Sequence, residues 1–155
     1  MGREIRRVPQ GWEHPKEDGR FLPMFDKDYE TVRKTWVEEL LLWQEGKHPK
    51  QDSDWLKSID FWEYDNTPDR ETCRPAFETE PICYQMYETV SEGTPTSPVF
   101  ETEEEMIDWL VQQGHSSEAA QIFVEKKWAP SFISDGNRMA ANVDAYDIWE
   151  KETER

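Results

Sequence analysis

The chain has few cysteines and no long apolar run, and each shortage excludes a class of protein. Of 155 residues, only Cys73 and Cys83 are cysteine. Two thiols do not make the disulfide framework of a small secreted domain, so both are expected to be free. No stretch approaches the length of a membrane-spanning helix, and the N-terminus lacks the apolar segment of a signal peptide. We therefore expect a cytosolic protein that binds no membrane.

The sequence also lacks the motifs of catalysis and of metal or phosphate binding. It contains no Gly-x-Ser-x-Gly elbow, no glycine-rich phosphate loop and no Cys-x-x-Cys pair, and its three histidines lie far apart. Carboxylates are so numerous that no pair of them indicates glycosidase chemistry. The sequence thus predicts no catalytic residue, no metal site and no cofactor, and a protein that is not an enzyme.

Basic residues are scarce relative to acidic ones. There are 34 Asp and Glu against 18 Lys and Arg, which gives a formal net charge of -16. Such a charge repels nucleic acid directly and attracts proteins with a cationic surface. Disordered acidic chains are poor in aromatic residues, but this one has eight Trp, seven Phe and five Tyr. The composition therefore predicts a folded protein with a core rich in aromatic rings.

Hydrophobic periodicity predicts one compact α+β domain over residues 26–150. Residues 1–25, punctuated by proline and glycine, are expected to be an irregular basic arm packed on it, and residues 151–155 a charged tail. Helices are predicted over 27–45, 54–64, 102–113 and 118–127, a strand over 82–90, a brief further pairing at Val99-Phe100, a hairpin turning at Asp135-Gly136, and a last short helix from Asp144 with Tyr146 and Trp149 docking it. The helices would pack on a small, mostly antiparallel sheet.

Two helices carry apolar stripes that are expected to face the core. In the first, Tyr29, Val32, Trp36, Leu40 and Trp43 recur at spacings of three and four. In the second, the stripe consists of Trp55, Ile59 and Trp62. The alternative for the first stripe is a contact between copies of the chain, in which case the protein is a homo-oligomer.

The strongest concentration of acid lies between residues 61 and 108. This stretch holds thirteen acidic residues, opposed only by Arg70 and Arg74. A folded scaffold would hold these carboxylates at fixed spacing, so that they imitate a row of phosphates. The residues predicted to bind a protein partner are Glu88, Glu92, Glu101, Glu103, Glu104, Glu105 and Asp108. The alternative is a solvated surface that keeps the protein soluble.

A second candidate site combines the basic arm with the segment from residue 84 to 97. Arginines of the arm would contact phosphate, while Thr and Ser hydroxyls beside an exposed tyrosine would bind and stack on a base. Its residues are Arg3, Arg6, Arg7, Tyr84, Tyr87, Thr94 and Ser97. The two tyrosines are three positions apart on a strand, so one is expected in the core and the other exposed. The alternatives are an arm paired with the domain's acids and a turn capped by side chains.

Several runs resemble a family of small bacteriophage and prophage proteins. They are Gly2–Pro9, Gly11–Pro15, Tyr84–Val99, Glu103–Gly114 and Trp128–Ser131, 45 residues in all. Residues 66–80 and the tail after Trp149 do not share the resemblance. The family brings no catalytic or binding residues to carry over. What the resemblance implies is a viral gene product acting in the cytoplasm of an infected bacterium.

These observations favour a non-enzymatic inhibitor of a bacterial antiviral defence. Its acidic face would occupy the nucleic-acid-binding surface of a host protein, in the manner of a DNA mimic directed against CRISPR or restriction systems. One alternative is a sponge that sequesters a nucleotide immune signal in the second site. A further alternative is an accessory protein of the virion or of its assembly.

Overall fold

The computed structural model of the chain describes residues 2–89, 92–130, 133–134, 139–140 and 142–147. It confirms the predicted fold class, since helices accompany a four-stranded antiparallel sheet. The elements are β1 (Arg3–Val8), β2 (Lys16–Glu17), β3 (Arg20–Phe21), β4 (Phe25–Asp28), α1 (Tyr29–Gln44), α2 (Asp54–Ser58), α3 (Phe61–Tyr64), a 3-10 turn (Arg70–Thr72), β5 (Cys73–Arg74), β6 (Cys83–Glu88), β7 (Thr94–Pro95), α4 (Glu103–Gln112), α5 (Ser117–Lys126), β8 (Trp128–Ala129), β9 (Ile133–Ser134), β10 (Met139–Ala140) and a 3-10 turn (Asn142–Asp144).

The chain divides into two compact units. Met24–Ala76 form one of them, the inserted unit, and the described residues before and after it form the other, the sheet unit. The expected boundaries, at residues 25 and 150, differ from this division. The inserted unit has thirteen acidic and eight basic residues, whereas the rest of the chain has 21 and ten. Most of the excess negative charge therefore belongs to the rest of the chain.

The predicted irregularity of residues 1–25 is wrong in part, because Arg3–Val8 form β1, a central strand of the sheet. The order is β7-β6-β1-β8, with β1 antiparallel to β6 from Arg3 opposite Glu88 to Val8 opposite Cys83. β1 reads Arg-Glu-Ile-Arg-Arg-Val, without the apolar alternation that indicates a strand. β1 is therefore stabilised by its long-range pairing with β6, which the local sequence pattern does not indicate.

One face of the sheet carries the core of the sheet unit. Residues on alternate positions of paired strands share a face, so Ile5 lies opposite Met86 on one side and Arg6 opposite Gln85 on the other. α4 and α5 cover the Met86 side with the buried residues Met106, Leu110, Ala119, Ala120, Phe123 and Val124. The predicted strand pairing at Phe100 is confirmed by its bridge to Tyr84. We call the opposite side the Gln85 face.

The inserted unit confirms one predicted helix and divides the other. Asp28 caps α1, but of its stripe only Trp43 is buried, with Tyr29, Val32, Trp36 and Leu40 partly buried. The predicted helix over 54–64 breaks where Ile59 is extended and Asp60 caps a new start. The prediction that the Trp55 and Trp62 side of this segment faces the core is therefore wrong. Trp55 and Trp62 are 68% and 51% exposed, and Phe61 is buried instead.

The C-terminal hairpin is present, with a register different from the predicted one. β9 and β10 pair antiparallel, with Ser134 opposite Met139, whereas a two-residue turn at Asp135-Gly136 would place Ser134 opposite Asn137. The predicted turn residues, Trp149 and the tail at 151–155 lie outside the described residues. Tyr146 is buried, as expected, and its hydroxyl donates to the Trp128 carbonyl. None of the helices in the described ranges combines the length and apolar character needed to cross a bilayer.

Candidate functional site

The acidic candidate site is organised by the start of α4. The hydroxyl of Thr102 accepts from the Glu105 amide at 3.2 Å, and the Glu105 carboxylate accepts from the Glu101 amide at 3.1 Å. The first turn therefore holds Glu103, Glu104 and Glu105, where the positive end of the helix dipole stabilises carboxylates. The predicted cap at Thr102 is confirmed, and it fixes the helix end that presents these acids.

Some of the predicted partner-binding carboxylates are bound by neighbouring residues, and others are exposed without such a contact. Glu88 accepts from Arg3 at 2.9 Å and Glu103 from Lys127 at 2.6 Å, so both are paired with cations. Glu101 accepts from the Gln10 amide, and Glu105 serves as a cap. Glu92 is only partly exposed. In the described part of the chain, no hydrogen bond or ion pair engages Glu104 or Asp108, and both are exposed.

The residues of the second candidate site do not converge on one pocket. Arg3 and Arg7 point to the α4–α5 side of β1, whereas Arg6 points to the Gln85 face. Arg6 is buried, with its Nε 2.7 Å from the Glu4 carboxylate, an Nη donating to the Glu92 carbonyl, and its guanidinium 4.2 Å from the Tyr87 ring centre. Through these contacts Arg6 stabilises the packing of the sheet unit.

The two tyrosines lie on opposite faces, as expected. Tyr87 is buried, whereas Tyr84 is partly buried beneath the guanidinium of Arg7 at 4.3 Å and the ammonium of Lys127 at 5.3 Å. Thr94 lies on the edge strand β7, opposite Glu88. Of the seven residues, Ser97 alone lines the large cavity described next.

A cavity of about 560 Å³ opens on the Gln85 face of the sheet. We call it the Gln85 cavity. The β2–β3 hairpin and the loop before it form one wall, and β6 with the segment after β7 forms the other. It is lined by Trp12, Glu13, His14, Pro15, Lys16, Phe21, Gln85, Ser97, Pro98 and Val99. Aromatic rings and prolines with a few polar groups are the usual lining of a small-molecule site.

A hydrogen-bond network centred on the Tyr87 hydroxyl underlies this cavity. The hydroxyl accepts from Trp12 Nε1 at 3.2 Å and contacts His14 Nδ1 at 3.0 Å and Gln85 Oε1 at 3.2 Å. The Gln85 amide nitrogen donates to the Ser97 carbonyl at 2.9 Å. Two segments distant in sequence, residues 12–14 and β6, thus meet at one hydroxyl, and the segment at Ser97 joins them through Gln85, so that the polar floor of the cavity is fixed.

The protonation of His14 follows from its partners. The Leu22 carbonyl, 2.6 Å from His14 Nε2, can only accept, so Nε2 carries a proton. Burial lowers the pKa of His14, and the nearby Arg6 charge lowers it further against the raising effect of the Leu22 bond. The ring is therefore neutral at pH 7, and its Nδ1 accepts from Tyr87.

The remaining chemistry-bearing groups of the described ranges are the two cysteines, His48, His115 and the other acidic side chains. In the described ranges, no three His, Cys, Asp or Glu side chains are placed to hold a metal ion. Cys73 and Cys83 are free and buried, and burial raises the pKa of the Cys73 thiol, which disfavours the nucleophilic thiolate.

The sequence interpretation missed Trp12, His14 and Gln85, the main residues of the cavity. One local signal for the region was present. Asp18-Gly19 forms a two-residue turn between β2 and β3 with φ of 51° and 77°, which is the sequence typical of a tight hairpin. That turn places Phe21 against the ring of His14.

Comparisons with protein families, with curated proteins and with solved structures give no match for this chain. The two sites are therefore interpreted from their own geometry.

Proposed function

We propose that this protein is a non-enzymatic inhibitor that binds a cationic, nucleic-acid-binding surface of a partner protein through the exposed acids of α4. The observation that carries the proposal is the exposed pair Glu104 and Asp108, for which the described residues supply no cation. Four residues apart on one helix, these carboxylates share a face and lie about 6 Å apart along its axis. A folded element thus presents them at fixed spacing.

The charge distribution supports the same proposal. The sequence outside the inserted unit has 21 acidic and ten basic residues, so the unpaired carboxylates act within a wider negative field. Such a field accelerates encounter with a cationic surface and repels nucleic acid. Glu101, Glu103 and Glu105 stabilise the start of α4 and add to its charge, while Glu88 and Glu92 lie beside the arginines of β1 and contribute less.

Within this proposal, the partner is a nucleic-acid-binding protein of a bacterial antiviral defence. The basis for this context is the resemblance to bacteriophage proteins of the runs Gly2–Pro9, Gly11–Pro15, Tyr84–Val99, Glu103–Gly114 and Trp128–Ser131. The chain would then act in the cytoplasm of the infected cell and compete with nucleic acid for one surface.

Capture from a bacterial lysate tests the proposal with a matched pair of variants. Glu104→Lys/Asp108→Lys reverses the proposed contact, and Glu118→Lys/Glu125→Lys makes the same charge change at exposed acids of α5. The expected result is a nucleic-acid-binding protein that the wild type and the α5 variant retain at low salt and release at high salt, and that the α4 variant does not retain. The released protein should lose its nucleic-acid binding when wild-type chain is added.

Two outcomes would overturn the proposal. One is a lysate in which the immobilised protein retains no salt-released, nucleic-acid-binding protein. The other is equal retention by the α4 and α5 variants, because net charge alone would then explain the binding.

A further inference from the structure

We propose that the Gln85 cavity binds an uncharged adenine-type base, stacked against an aromatic wall and hydrogen-bonded by the Gln85 amide. This inference is independent of the α4 surface, since the cavity lies on the opposite face of the sheet. Its volume of about 560 Å³ falls within the range usual for small-molecule sites.

The hydrogen bonds at the floor of the cavity leave the Gln85 amide able to form further ones. Tyr87 has one hydroxyl proton and two neighbouring acceptors, His14 Nδ1 and Gln85 Oε1. When the proton serves the neutral ring of His14, Tyr87 cannot also donate to Gln85 Oε1. Gln85 is only 6% exposed, so an acceptor left without a donor there is costly.

The same amide also retains a donor. Its nitrogen has two protons, and the structure assigns one of them to the Ser97 carbonyl. Gln85 thus offers an N–H beside an oxygen that shares its one donor, the Tyr87 hydroxyl, with His14 Nδ1 and that has a second lone pair. Adenine presents the complementary pair, an N7 acceptor beside the N6 amino donor, and glutamine forms a bidentate pair with that edge.

The cavity walls suit a flat aromatic ring. Phe21 is 39% exposed, and Trp12 is fixed by its bond to Tyr87 and by edge contact with Phe77. The ammonium of Lys16, an exposed side chain, lies 4.6 Å from the Phe21 ring centre. A base can replace this ammonium on the ring, since stacking on an aromatic side chain is favourable for every base.

The charges around the cavity favour a base or nucleoside over a nucleotide. Among the described residues that line it, Lys16 is the one cation and Glu13 opposes it. Arg6 lies on the same face but is engaged by Glu4, by the Glu92 carbonyl and by the Tyr87 ring. The site therefore differs from the nucleotide pocket that the sequence predicted from Arg3, Arg6 and Arg7.

Isothermal titration of the full chain tests the ligand class. Adenosine is expected to bind with one-to-one stoichiometry, and N6,N6-dimethyladenosine, which lacks the N6 donor, about tenfold more weakly. Guanosine, which offers two acceptors on the same edge, is also expected to bind more weakly. Adenosine 5′-monophosphate should bind no more tightly than adenosine.

The proposal fails if adenosine gives no binding at millimolar concentration, if dimethylation does not weaken it, or if guanosine binds equally well. It also fails if the monophosphate binds about tenfold more tightly, because phosphate would then dominate recognition.

A matched pair of phenylalanine variants locates the site. Phe21→Ala should weaken adenosine binding about fivefold or more through lost stacking. Phe25→Ala, at a comparably exposed phenylalanine of the inserted unit, should leave it unchanged. Both positions are exposed, so both variants should fold, which circular dichroism checks. Equal affinities for the two variants would place the ligand elsewhere and overturn the proposal.

Discussion

At the scale of single residues, the Gln85 face buries polar groups beside apolar ones such as Val8 and Cys83. Arg6, His14 and Gln85 are each less than a tenth exposed, and each has hydrogen-bond partners within the sheet unit. Burying such groups is tolerated only when they are hydrogen-bonded. Substitutions of these buried residues should therefore lower the free energy of unfolding more than substitutions of exposed acids do. At His14 the effect should also depend on the protonation of the ring.

The lowered pKa of His14 predicts a loss of stability in acid. In the unfolded chain His14 takes up a proton below about pH 6.5, whereas the folded chain does so only at lower pH. The unfolded state then binds more protons, and the free energy of unfolding falls as the pH decreases through this interval. In His14→Gln this contribution is absent. Urea unfolding of both proteins from about pH 7.5 down to about pH 5.5, across the ordinary pKa of histidine, measures this effect. We expect the free energy of unfolding to fall more steeply with decreasing pH in the wild type than in His14→Gln. Parallel curves of free energy against pH would contradict the account.

Two glycines with similar backbone conformations provide a matched test of close packing. Gly93 and Gly114 have φ of 110° and 106°, so alanine is strained at both. A Cβ at Gly93 would lie 2.4 Å from an Arg6 nitrogen and 3.1 Å from the Glu88 carbonyl, while none of the described atoms approaches within 4 Å at Gly114. Gly93→Ala should cost at least about 1 kcal/mol more than Gly114→Ala. Equal losses in chemical denaturation would show that Arg6 moves aside freely.

At the scale of elements, the caps of α4 determine how the acidic face is presented. Thr102→Ala should destabilise the protein by about 1 kcal/mol, because the Glu105 amide loses its acceptor. Thr102→Ser keeps the hydroxyl and should cost much less. Thermal unfolding of the two variants measures the difference. Equal destabilisation by both would indicate that the threonine methyl group, and not the cap, stabilises this end.

Local signals sufficed for the elements that depend on neighbours in sequence. Capping residues and apolar spacing predicted α1, α4 and α5, and the β-rich run at 82–90 predicted β6. β1 was missed because its stability comes from β6 partners 75 to 85 residues away, including Glu88 and the ring of Tyr87. The break at Ile59 was missed because the apolar spacing continues through it, although Asp60 is a capable cap.

The two candidate sites were predictable to different degrees, because the residues of one are close together in sequence and those of the other are not. The acids of α4 are contiguous in sequence, so their position on a helix start could be predicted. Which of them lack a partner depends on Arg3, Gln10 and Lys127, which tertiary structure brings near. The Gln85 cavity joins segments more than 60 residues apart, and no local pattern indicated it.

At the scale of the whole molecule, the net charge of -16 should make stability depend on salt. Repulsion among carboxylates opposes the compact state, and added ions screen it. Surface ion pairs such as Lys47–Glu45 weaken under the same conditions but contribute little. The melting temperature should therefore rise from low to physiological concentrations of sodium chloride. A constant or falling melting temperature would show that ion pairs outweigh repulsion.

The central claim is that the exposed carboxylates of α4 make the contact with a cationic partner. The most direct measurement is the association rate constant of the captured partner with the wild type, Glu104→Lys/Asp108→Lys and Glu118→Lys/Glu125→Lys over a salt series. We expect the α4 variant to associate on the order of tenfold more slowly at low salt and with a shallower salt dependence, and the α5 variant to stay close to the wild type. Indistinguishable rates and salt slopes for the two variants would contradict the claim.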